Sequence, residues 1–165
     1  MAVTRTITNT LIRDSIVKAV QNVCKTMTNC DPALRPPVSN PSLIHTYQML
    51  GNVGFAGDAN GVVFLCMTDE FAHFATGQML GMTPDEVKDG GLEVIKDAIG
   101  EITNMTAGGF KNHLSDTGFP CKLTLPTIVR GKELEIAAMK GSNRHVFEFD
   151  CSGHVLTVDI QIKRE

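Results

Sequence analysis

No stretch of this 165-residue chain approaches the ~20 consecutive apolar residues that a membrane-spanning helix needs. Nor is there a surplus of positive charge. Fifteen Lys and Arg stand against 18 Asp and Glu, a formal net charge of -3, so nucleic-acid binding by phosphate neutralisation has no support. The five cysteines (Cys24, Cys30, Cys66, Cys121 and Cys151) are odd in number, widely spread and without a C-x-x-C pair. That spacing argues against a disulfide framework or a zinc knuckle and for buried, reduced thiols. His45, His73, His113, His145 and His154 show no H-x-x-x-H spacing, so no metal site is expected. No G-x-x-x-x-G-K-[ST] loop and no properly placed G-x-G-x-x-G is present to cradle nucleotide phosphates. The start Met1-Ala-Val-Thr-Arg-Thr6 lacks the basic segment and apolar run of a secretory signal, and a cytoplasmic location is expected.

What is present reads as an ordinary globular domain: 42% of residues are hydrophobic, 20% charged, and there are 15 glycines. The length suits one core, so residues 1–165 are expected to form a single domain. Ile12, Ile16, Val20, Val23 and Met27 recur on one face of a helix over residues 10–27. Residues 31–41 hold four of the seven prolines and predict a loop. Strands are expected at 43–55 and 62–67, joined by Gly57-Asp58-Ala59-Asn60-Gly61. Thr68-Asp69-Glu70 opens a second helix, with Phe71, Phe74, Ala75 and Met79 as its buried face and Gly81 to end it. Thr83-Pro84-Asp85-Glu86 is a capping box opening a third, which Gly90-Gly91 breaks.

The longest helix spans 92–114, with Leu92, Ile95, Ile99, Ile102 and Met105 as its apolar stripe. Strands follow at 121–128, 133–139, 145–151 and 154–162, separated by turns at 129–132, 141–143 and 152–153. In the last, His154, Leu156, Val158, Ile160 and Ile162 share one side; one face is expected to be buried and the other can be wet. The fold class is therefore α+β: about six mostly antiparallel strands with helices packed on one face.

The long helix also has a polar face. At about 100° per residue, Asp97, Glu101, Asn104, Gly108 and Lys111 gather within roughly 80° of arc. Glu101 and Asn104 are three apart, so their side chains project together. Gly100 and Gly108 border this face, although a glycine in an exposed helix costs ~1 kcal/mol relative to alanine. Missing Cβ atoms let another backbone or a ligand approach closely. The plain alternative is a solvated face whose glycines serve packing on a neighbouring strand. Asn104-Met105-Thr106 also matches a glycosylation acceptor, discounted here because it falls mid-helix without a secretion signal.

Residues 97–111, D-A-I-G-E-I-T-N-M-T-A-G-G-F-K, resemble the signature helix of the CheC/CheX/FliY family of chemotaxis phosphatases, with E-x-x-N inside D-x-x-G-E-x-x-N-M-x-x-G. Residues 123–131, L-T-L-P-T-I-V-R-G, are similar to the S-x-P-x-x-x-x-G strand and turn that follow it, and residues 51–81 match more loosely. CheC-type members carry two such helices and CheX-type members one. Residues 13–27 contain no glutamate, so the chain resembles the single-site CheX type.

The resemblance implies hydrolysis of the aspartyl phosphate of a CheY-like response regulator. It implies Glu101 and Asn104 as catalytic residues, with Asp97, Gly100, Gly108 and Lys111 as partner-binding residues. It implies Mg2+ on the regulator and none bound by this chain. It also implies a homodimer joined through sheet edges, which exposed C-terminal strands would suit. An acyl phosphate is already activated and lacks only a water in line with the bond to be broken, which a carboxamide can hold and aim. Glu101 is a poor candidate for touching phosphate, since two anions repel; it would pair with the lysine that regulators keep beside the phosphorylated aspartate, or act as general base, and docking is preferred because phosphoryl transfer of this loose type needs positioning more than proton removal. The rival reading is a non-catalytic module of the same fold that binds a regulator or a flagellar-switch protein. A small-molecule sensor has little support.

Overall fold

The computed structural model describes residues 5–37 and 46–164. The last residues of the proline-rich loop, the first of the expected 43–55 strand, His45 and residues 1–4 of the start lie outside the described residues. Three helices, α1 (Asn9–Thr28), α2 (Asp69–Leu80) and α3 (Pro84–Asp116), cover one face of a seven-stranded sheet. Its strands are β1 (Ala33–Leu34), β2 (Tyr47–Gly57), β3 (Gly61–Met67), β4 (Cys121–Leu123), β5 (Thr127–Leu134), β6 (Ser142–Cys151) and β7 (His154–Lys163). The order is β1-β6-β7-β3-β2-β4, every pairing is antiparallel, and β5 shares the β2 edge with β4.

Helix boundaries follow local chemistry. Thr8 and Thr68 accept hydrogen bonds from the Leu11 and Phe71 N–H groups at 3.1 and 3.2 Å. Thr83 and Glu86 close the expected capping box, with Thr83 N–H donating to the Glu86 carboxylate at 2.8 Å. Gly81 ends α2 in the left-handed region at φ 65°. The break at Gly90-Gly91 is one residue wide: Gly91 (φ 77°, ψ -175°) kinks α3, which resumes at once.

Elsewhere tertiary packing overrides the local pattern. Met105 lies about 80° from Ile95 around the helix and is 38% exposed, outside the buried stripe. That stripe continues instead through Thr103, Thr106, Ala107, Phe110 and Leu114. The two buried threonines are satisfied by donating to the Ile99 and Ile102 carbonyls at 2.7 and 2.8 Å. In α2, Ala72 and Thr76 are fully buried, while Phe74 and Met79 only half-bury beside the core.

The expected 121–128 strand divides at 124–126. There Thr124 is clamped to Gly54 by paired bonds of 2.9 Å, N–H to carbonyl and N–H to hydroxyl. The expected turn at 129–132 lies inside β5, and the expected 133–139 strand ends at Leu134. Beyond it the backbone crosses the sheet face opposite the helices. Met139 N–H donates to the Gln161 side chain at 2.6 Å, and the Gln161 amide donates to the Ala137 carbonyl at 3.1 Å. The expected wet face of the last strand is therefore covered: Thr157, Asp159 and Gln161 are buried along with Leu156, Val158, Ile160 and Ile162. Arg144 donates to Asp159 at 2.6 Å and to the Ile136 carbonyl at 3.1 Å. Tyr47 lies on the same face, and burial pushes its pKa up to about 12. The seventh strand, β1, comes from the proline-rich loop and pairs with Phe149 and Asp150 of β6.

Candidate functional site

Glycines bring α3 down onto the sheet. A Cβ on Gly51 of β2 would collide with the Thr103 side chain, so its absence lets the helix rest directly on the strand. On the opposite flank, a Cβ on Gly109 would stand 3.0 Å from that of Ala19, marking a close crossing of α1 and α3. With sheet and α1 taking those sides, the polar face points outward.

Glu101 and Asn104 are both exposed and adjacent on this ridge, as their spacing requires. Neither side chain has a hydrogen-bond or ion-pair partner among the described residues. Asp97 is exposed one turn before Glu101, and Gly100 and Gly108 are half-exposed. The glycines answer the packing alternative directly. A Cβ on Gly108 would meet nothing within 4 Å, and one on Gly100 would make only an ordinary 3.8 Å contact with Ile128. Packing does not require either to be glycine. Lys111 is half-buried and turns toward β4, where its ammonium partly offsets the burial that raises the Cys121 thiol's pKa.

One flanking feature was not expected from the sequence. Leu125, which the expected 121–128 strand would absorb, is 88% exposed on the loop between β4 and β5. Leu123 before it pairs with Phe55, whose ring meets Phe110 at 5.7 Å, and Ile128 after it lies beside Gly100. The loop therefore runs beside the part of α3 that carries Asn104. The Thr124–Gly54 clamp and Pro126 fix its path. The visible signal was Pro126, which interrupts a strand pattern. Met105 supplies a second exposed apolar group on the α1 side.

Arg130, also on β5, reaches across to Asp69 at the start of α2 at 3.2 Å, tying strand to helix at the sheet margin. None of the four main cavities is lined by Asp97, Glu101, Asn104 or Gly108. The ridge thus presents an acid and an amide on an exposed surface, where a large visitor can reach them.

A family model described as "Chemotaxis phosphatase CheX" matches residues 49–150. A Thermotoga maritima protein, "CheY-P phosphatase CheX", is 25% identical over 125 residues, covering 76% of this chain and 79% of that protein. The crystal structure of a chemotaxis protein CheX from Desulfovibrio desulfuricans has a TM-score of 0.81 at 26% identity, over 92% of this chain and 99% of its own. A crystal structure of a CheX-CheY-BeF3-Mg+2 complex from Borrelia burgdorferi shares the fold, with a TM-score of 0.75 at 23% identity over 93% of this chain and 98% of that one.

Proposed function

The chain belongs to the CheX family of chemotaxis phosphatases, whose model spans more than half of it, and from that premise we propose that it hydrolyses the aspartyl phosphate of a CheY-like response regulator. The observation that carries this reading is the outward, unpartnered Glu101–Asn104 pair, bordered by glycines that packing does not need. The regulator supplies the acyl phosphate and its Mg2+; this chain supplies positioning. Asn104 accepts one hydrogen bond from a water and donates another beside it, holding that water in line with the phosphorus–oxygen bond to be broken. Glu101 pairs with a cation next to the phosphorylated aspartate and so sets the register of docking. Gly100 and Gly108 admit the regulator's backbone close to the helix, Asp97 lies at the rim, and Leu125 gives the docked partner an apolar anchor.

Under this reading residues 1–165 form one phosphatase domain working in the cytoplasm. The implied homodimer cannot use the last strand, because β7 lies inside the sheet between β6 and β3. Of the C-terminal strands the β6 edge would serve, although β1 pairs with it at Phe149 and Asp150 and the Arg35 N–H meets its Glu148 carbonyl; the opposite edge, formed by β4 and β5, is the alternative. The test is to mix the protein with a phosphorylated CheY-like regulator and Mg2+ and follow loss of the phosphoryl group. Acceleration over the regulator's own decay is expected. Binding without acceleration means the chain is an adaptor, and neither binding nor acceleration with any regulator of the same cell overturns both readings.

A further inference from the structure

Two cavities on the helix side of the sheet adjoin at His73 and Lys88, which line both. The larger, about 560 Å³, opens between α2 and the start of α3 and is walled by Phe74, Met82, Pro84 and the His154 ring from the start of β7. Phe74 and His154 stack with centroids 4.9 Å apart, and Phe71 braces them at 6.3 and 5.7 Å. This aromatic wall is fixed from behind, yet Phe74, Met82 and His154 are only half-buried. The smaller cavity, about 130 Å³, lies where Gly91 kinks α3 and is bounded by Leu92, Ile95 and, from β5, Arg130.

Charge is divided unequally between the two. Two cations, Lys88 and Arg130, line the smaller cavity against one carboxylate, Asp69. Asp69 is already engaged by Arg130 at 3.2 Å, whereas Lys88 has no partner among the described residues. The larger cavity carries Glu70 and Asp85 at its rim, both exposed and likewise without partners among the described residues. His73 stands at the junction, its Nδ1 donating to the Asp69 carbonyl at 2.7 Å, which holds the ring in place. An apolar chamber of this volume is of small-molecule size. A partner's helix laid between α2 and α3 would leave the cationic recess unused.

We propose that the adjoining cavities bind a small organic acid that carries an aromatic ring and a single negative charge. The ring lies against Phe74 and Met82, and the anionic group enters the recess beside Lys88 and Arg130. Glu70 and Asp85 repel a second anionic group at the rim, which restricts the ligand to a monoanion. Leu92 precedes Asn104 by about 18 Å along α3, so this site is separate from the exposed Glu101–Asn104 pair and does not depend on its chemistry.

Titration of the full chain with anilinonaphthalene sulfonate, a ring-bearing monoanion that fluoresces in apolar surroundings, tests this. The chain has no tryptophan to interfere. Saturation at one probe per chain is expected, with a higher melting temperature in its presence. Phenylpropionate should displace the probe, and uncharged phenylpropanol should do so about tenfold less well. Lys88→Glu should weaken binding by about tenfold, and Glu70→Lys should strengthen it. Both side chains are exposed and unpartnered among the described residues, so neither change removes a contact of the fold. Lys18→Glu on α1, which lines neither cavity, should change nothing. Binding that fails to saturate, or that ignores both charge changes, is adsorption to exposed apolar side chains such as Leu125 or a groove for a partner's segment, and it overturns the proposal.

Discussion

Gly109 faces Ala19 so closely that a Cβ on it would stand 3.0 Å from its neighbour's, whereas Gly108, one residue earlier, faces open space. Two adjacent glycines on one helix thus do different work. Gly109→Val should overpack the α1–α3 crossing and cost ~1–3 kcal/mol in chemical denaturation. Gly108→Ala should leave stability unchanged or raise it by up to ~1 kcal/mol while slowing dephosphorylation of the regulator. Activity that survives Gly108→Leu intact would mean no partner approaches there.

Asn104 and Glu101 should separate in kinetics. Asn104→Ala is expected to lose about a hundredfold or more in the rate at saturating regulator, ~2.7 kcal/mol of barrier lowering, with binding retained. Glu101→Gln should mainly raise the regulator concentration needed for half-maximal rate. Both residues are exposed, so neither change should lower the melting temperature.

Leu125 offers a test of docking that leaves the chemistry untouched. Leu125→Asp should weaken regulator binding, measured by calorimetry, by about 1–3 kcal/mol if the side chain enters an apolar pocket on the partner. The folded protein should be as stable as before, because at 88% exposure the side chain contributes little to its own core.

Tyr47 is the single tyrosine in a chain without tryptophan, so its ionisation can be read directly in ultraviolet absorbance. Half-ionisation is expected at about pH 12, above the ordinary value near 10, because burial disfavours the phenolate. The sign for stability follows from proton counting. Above the unfolded value the unfolded chain releases a proton that the folded chain retains, so stability present below pH 10 is lost as pH rises toward about 12. A midpoint near 10 in the folded protein would place the phenol in water.

What could be read from the sequence was what local chemistry decides. Thr68, Gly81 and the Thr83–Glu86 box mark helix ends because caps act within a few residues. Glu101 and Asn104 fall on one face because three residues of helix put them there. Residues 133–139 alternate like a strand, yet beyond Leu134 their backbone covers β7 through Gln161 and Arg144, partners more than twenty or so positions apart for the first and invisible to any local pattern. Leu125 was misplaced for a similar reason: the Thr124–Gly54 clamp that ejects it spans 70 positions. The contact between the Cys30 sulfur and the Ser152 hydroxyl is the extreme case. Cys30 and Ser152 are 122 positions apart and are joined only by the topology of the sheet.

The exposure of the polar ridge of α3 has a last consequence. With Asn104 exposed on a ridge that lines none of the four main cavities, free metabolites carrying acyl phosphates meet no enclosing pocket there, and on the proposed reading they pass through the cell unspent. Discrimination then resides in the contour of the visitor, whose own surface must complete the reaction chamber. Each encounter builds that chamber and each departure dismantles it.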